Sequence, residues 1–177
     1  MTGVRLRLVR LGGVRAVTQF GRRRVLAGDL PGAAAAFGLA AGSGHARYRL
    51  RAALHLWVLH ARQGDSFRSG TALREAVRLA AVAERCSIGD ACVHIGSVLA
   101  DKRPSLPGVG EAVMAFRETI NSGDLDLAPK AALGLAVLRW RFGAAEDDVR
   151  AAFRLAVNSR HPDVAPTAER LLALFDR

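Results

Sequence analysis

Residues 120–129, INSGDLDLAP, return 37 residues later as VNSRHPDVAP at 157–166. The match runs without a gap over 115–138 and 152–175. Phe116/Phe153, Asn121/Asn158, Ser122/Ser159, Asp126/Asp163, Pro129/Pro166 and Ala131/Ala168 are identical in register. A chain rich in alanine matches alanines by chance, but not Phe, Asn-Ser, Asp and Pro at fixed spacing. Self-similarity at a period of 20–50 residues marks stacked supersecondary units, each too small to bury its own apolar face. The chain is therefore expected to be an array, and the repeated loop is its joint.

The loop reads as a stop followed by a start. Ala115-Phe116 and Thr119-Ile120 place apolar side chains at helical spacing. Asn121 and Ser122 end that helix, since Asn tolerates the left-handed conformation of a C-cap. Asp126 is the expected N-cap of the next helix, and Pro129 sits in its first turn, where no backbone donor is lost. Asp163 and Pro166 repeat the arrangement.

Fainter copies precede it. Ala33/Phe37/Ala40, Leu73/Val77/Ala80, Ala112/Phe116/Thr119 and Val149/Phe153/Ala156 each follow the spacing i, i+4, i+7, one face of a helix. Their central residues are 40, 39 and 37 positions apart. A second helical run comes before each triplet, and two of these runs end in Gly-Asp, at 28–29 and 64–65, where Gly stops one helix and Asp caps the next. The segment 101–110, DKRPSLPGVG, is the one long loop, with two prolines and two glycines. Residues 4–8, VRLRL, alternate as a strand does but have no partner nearby, so they read as an arm or an extra turn of helix. The fold class is all-α.

The chain resembles the tetratricopeptide repeat family. Phe20-Gly21, Gly28, Ala33, Phe37 and Ala40 match its pattern of apolar-small, turn glycine, then small-aromatic-small at the family's own spacing. Later units drift in length and are similar to looser bacterial repeats, with the Sel1-like helix-turn-helix a close competitor. The resemblance covers about residues 13–175. It implies an α-α superhelix of about four helix-turn-helix repeats, closed by a capping helix over 164–177. It also implies that the first helix of each hairpin lines a concave groove. On that basis Arg15, Arg22, Arg51, Arg62, Lys130 and Arg139 are the candidate partner-binding residues. The family's clamp for C-terminal carboxylates uses an Asn in the first helix. Asn121 and Asn158 follow second helices, so that specificity does not carry over.

Charge divides the chain in two. The net charge is +10, and 24 of the 26 basic residues are arginines, a bias typical of GC-rich bacterial coding. Residues 1–28 contain seven arginines and no acid, whereas residues 29–177 carry 19 basic and 16 acidic side chains. The expected organisation is a basic arm over 1–12 and a repeat domain over 13–177. Arg5, Arg7, Arg10, Arg22, Arg23 and Arg24 are the candidates for binding nucleic acid electrostatically. Only Phe20 is near enough to stack on a base, which disfavours single-strand recognition.

Catalytic and cofactor chemistry finds little support. Cys86, Cys92 and His94 have none of the usual zinc spacings. His55 and His60 lie about 140° apart around a helix. Gly42-Ser43-Gly44 follows no strand, so it is not a phosphate loop. No stretch approaches the roughly 20 apolar residues of a membrane span. No signal peptide is visible, and two cysteines make no disulfide framework. The expectation is a non-catalytic, cofactor-free cytoplasmic module that binds a peptide or protein in its concave groove, an acidic partner being the electrostatic match. The alternative is a nucleic-acid-associated protein using the arginine-rich N-terminal region.

Overall fold

The computed structural model describes residues 3–101 and 106–177, with side chains described from Gly13 onward. Nine α-helices account for most of the described residues, and none of these forms a strand. They are α1 (Gly3–Leu26), α2 (Leu30–Ala41), α3 (Ala46–Arg62), α4 (Ser66–Glu84), α5 (Ile88–Ala100), α6 (Val109–Asn121), α7 (Leu127–Phe142), α8 (Glu146–Asn158) and α9 (Ala165–Phe175). The VRLRL stretch is thus helical, although Gly13, at φ 65° and ψ 163°, breaks α1 into two pieces.

All twelve residues of the four triplets are buried. Their spacing puts them on the inner face of α2, α4, α6 and α8, and Phe37 and Phe116 are accommodated by glycines on neighbouring helices. A methyl group added at Gly21 would lie 2.7 Å from the Phe37 ring, and one at Gly134 would lie 2.7 Å from the Phe116 ring. Small residues at these points let helix axes approach until an aromatic ring fills the gap. Trp57 tilts against Phe116 at 4.6 Å between centroids, and Trp140, Phe153 and Phe175 form a second aromatic cluster.

The Gly-Asp joints work as expected. Gly28 and Gly64 take positive φ, and the Asp29 and Asp65 carboxylates accept from the N–H groups of Gly32 and Arg68, each at 2.9 Å. The repeated loop differs in detail. Asn121 and Asn158 are the last helical residues, but the left-handed conformation falls two positions later, on Gly123 and Arg160. The serines do the capping: Ser122 donates its hydroxyl to the Thr119 carbonyl (2.7 Å) and Ser159 to the Ala156 carbonyl (2.6 Å). Asp126 occupies the N-cap position of α7 without capping it. Asp124 does so instead, accepting from the N–H groups of Asp126 and Leu127, both at 3.0 Å. Asp163 likewise caps nothing through its side chain.

Helices pack largely in sequence order, as in a helical repeat array. The exception is the expected third hairpin. Its two helices, α5 and α6, barely touch, and residues 102–105 of the expected long loop between them lie outside the described residues. α5 lies on α4, α7 and α9, while α6 crosses to α3 and α7. α7 is buried on every side from Ala131 to Leu138, as befits a helix that is apolar all round. One continuous core spans α3 to α9. Two smaller clusters hold α1 and α2 to α3.

Candidate functional site

The packing of α6 against α3 leaves a groove on the surface. One flank of α6, Glu111, Met114 and Glu118 with the buried Ala115 at its edge, follows helical spacing beside the buried Ala112/Phe116/Thr119 face. That flank faces Val58, Ala61 and Arg62 at the C-terminal end of α3 across a cavity of about 370 Å³. A second cavity of about 240 Å³ shares Ala61 and Glu118 with the first and continues past Phe67, Gly70 and Asp124. A third, of about 300 Å³, lies on the other side of Phe67, between α3 and α4. The first two form one groove between α3/α4 and α6.

The floor of the groove is fixed by buried hydrogen bonds. The Trp57 indole donates to the Thr119 hydroxyl at 3.1 Å, and that hydroxyl donates to the Ala115 carbonyl at 2.9 Å, tying α3 to α6. Its walls carry large apolar side chains that no described residue covers. Phe67 is 83% exposed and Met114 65% exposed. Its charge is mostly negative: Glu111, Glu118 and Asp124 against Arg62.

Of the six arginine and lysine positions expected to bind a partner, only Arg62 lies in this groove. Arg51 is half-buried on α3 with its guanidinium 6.0 Å from the Tyr48 ring centroid. Arg15 is exposed and Arg22 half-buried on α1. Lys130 and Arg139 are side chains only 12% exposed and committed within the chain. Lys130 pairs with Asp126, and Arg139 donates to the Asp148 carbonyl at 3.1 Å. α7 is enclosed by its neighbours, so a first-helix position there does not face an open groove.

Asp126 sits at the centre of a polar knot between α4, α7 and the α8–α9 loop. Lys130, His161 (Nε2 at 3.4 Å) and Arg74 (Nε at 3.5 Å) converge on its carboxylate, and Arg74 also reaches Asp124 at 2.6 Å. Burial alone pushes the Asp126 carboxyl up, but the three positive or donating partners together hold it below the usual carboxylate value. Cys92, buried beneath this knot in α5, has its thiol pushed up to about 12 by burial, so it is an inert packing residue at neutral pH. Among the described residues no group of three or more His, Cys, Asp and Glu side chains is disposed to hold a metal ion.

The basic side chains of α1 lie apart from the groove. Arg15 and Arg23 are exposed and Arg22 half-buried, and none has an ion-pair partner among the described residues. Arg24 pairs with Asp29 and lies 4.7 Å over the Phe20 ring. Arg5, Arg7 and Arg10 fall outside the residues whose side chains are described.

No protein family, curated protein or solved structure matches the chain. Among the described residues no helix is long and apolar enough to cross a membrane.

Sequence reasoning does not single out Phe67, Met114 and Glu118, which line the candidate groove. Their signal was present. Met114 lies two positions from both Ala112 and Phe116, on the opposite side of α6, where a large apolar residue has no use in the core.

Proposed function

We propose that this chain is a non-catalytic, tetratricopeptide-like scaffold that binds a protein or peptide segment in the groove between α3/α4 and α6. The observation that carries this reading is the pairing of a fixed, preformed groove with large uncovered side chains, Phe67 and Met114, at its edges. Exposed apolar residues are unremarkable singly, but lining one concavity they favour a docking role. A rigid groove needs little reordering on binding, which leaves more of the contact energy as affinity. The test compares proteins retained from a native-host extract by the wild-type chain and by a Phe67→Asp/Met114→Lys variant of unchanged circular dichroism. A partner retained by the first and lost by the second supports the reading. An identical retained set for both contradicts it.

A second reading has its own support. The α1 surface presents Arg15, Arg22 and Arg23 without an ion-pair partner among the described residues, in a stretch of 28 residues with no acid. Such a surface suits a nucleic-acid backbone, with affinity that falls steeply as salt rises. Binding to duplex DNA, followed across a salt series, should weaken on Arg15→Ala/Arg22→Ala/Arg23→Ala substitution and lose slope. Salt-independent binding, or none, removes this reading.

A further inference from the structure

We infer that the α3–α6 groove takes a cationic segment with interspersed apolar residues, not an acidic one; this rests on the groove reading proposed above. The chain as a whole is strongly basic, yet the groove inverts that sign. Among the described lining residues its acids are Glu111, Glu118 and Asp124, and its one base is Arg62. These acids are not equally available. Asp124 is matched by Arg74 at 2.6 Å, and the Glu111 carboxylate accepts from the Gly108 N–H at 3.0 Å. Glu118 has neither a side-chain hydrogen bond nor an ion pair among the described residues, and it belongs to both cavities of the groove. An unmatched carboxylate at the midpoint, with Met114 one turn before it and Phe67 across from it, calls for a ligand with a positive group between two apolar ones.

The magnitudes favour this choice. At physiological ionic strength screening confines exposed charges to about 8 Å. A ligand seated in the groove therefore responds to Glu118, Glu111 and Arg62 more than to the distant arginines of α1. An acidic ligand would be drawn to the rest of the surface and repelled here. Complementary charge supplies selectivity, and the contacts of Met and Phe supply affinity. A thioether is suited to packing against varied apolar partners.

The experiment uses the full chain and two fluorescein-labelled octapeptides, VRLRLVRL and VELELVEL, the first being the sequence of residues 4–11. Fluorescence anisotropy should show saturable binding of the arginine peptide alone. Glu118→Lys should weaken it at least tenfold, and so should Phe67→Ala. Arg117→Glu, next along α6 but outside the groove, should leave affinity within threefold. Three results would overturn the inference. VELELVEL binding in an Arg62-dependent way would mean that the groove binds peptides of the opposite sign, so the groove reading would survive and the charge assignment would fail. Arginine-peptide binding indifferent to both Glu118→Lys and Phe67→Ala would place it elsewhere on the surface. Absence of binding by either peptide would reject the cationic occupant, while the retention experiment on Phe67 and Met114 decides separately whether the groove docks proteins at all.

Discussion

Asp126 and Asp163 occupy matched places in the repeated loop and have different surroundings. Asp126 gathers Lys130, His161 and Arg74, while Asp163 is exposed and its backbone N–H donates to the His161 ring at 3.2 Å. Because the Asp126 carboxyl is held below its ordinary value of 3.8, its contribution to stability is present in full above that pH. It is lost as pH falls through the lower, folded-state value. Asp126→Asn should therefore flatten the acid limb of a stability–pH curve below about pH 4. Denaturant midpoints collected from pH 2 to 7 would decide this, and an acid limb as steep as the wild type's would contradict it. The same residue scale shows what the sequence hides. Loop similarity located both aspartates, but only the third dimension brings Arg74, 52 positions away, onto one of them.

The buried phenylalanines were legible because helical spacing alone assigns a face. Phe116→Ala and Phe153→Ala should each cost about 3–5 kcal/mol, the range for truncating a fully enclosed ring. Losing the true cap should cost less: Asp124→Ala is expected near 1 kcal/mol, and Asp126→Ala should leave the helix start itself intact. Urea denaturation of the four variants is the measurement. A small loss at either phenylalanine would mean that its pocket refills or was never tight.

At the scale of elements, close approach separates glycines that the sequence presents alike. Gly96 in α5 and Gly38 in α2 both sit within helices. A methyl group at Gly96 would meet the Gly134 carbonyl oxygen of α7 at 2.4 Å, a backbone atom that cannot rotate away. At Gly38 it would meet nothing within 4 Å. Gly96→Ala should therefore destabilise, by about 1–3 kcal/mol if α5 and α7 separate only slightly. Gly38→Ala should stabilise by up to about 1 kcal/mol, because alanine loses less backbone freedom on helix formation. Thermal melts showing the same sign for both would refute the α5–α7 contact. This contact also accounts for the departure of α5 and α6 from the expected third hairpin. The repeat pattern records which residues face inward but not which neighbour they meet. After the long Pro-containing segment that follows α5, Gly96 lets α5 close on the Gly134 carbonyl of α7. α6 is then free to cover α3, and the groove follows.

At the scale of the whole molecule, the two ends of the array are held unequally. The α3–α9 core is continuous, so removing any part of it is felt throughout. α1 and α2 are attached through Val14, Val17, Ala36 and Ala40 against Ala52, and through Ala33 and Phe37 against Leu59. Several of these are alanines, which bury little area, and apolar burial contributes only about 25 cal/mol per Å². In an array whose units contact mainly their neighbours, the weakest interface opens first. Native-state hydrogen exchange should therefore show α1 and α2 opening together at a free energy below that of α4, α5 and α7, which should exchange only by global unfolding. Phe37→Ala should lower the first value and leave the second nearly unchanged, whereas Phe116→Ala should lower both. The groove between α3 and α6 lies wholly on the stable side of this boundary, and Arg15, Arg22 and Arg23 of α1 lie on the other. Uniform protection across all the helices, or a Phe37→Ala variant that lowers every amide equally, would mean that the chain unfolds as one unit. Its basic end would then be as firmly fixed as its groove.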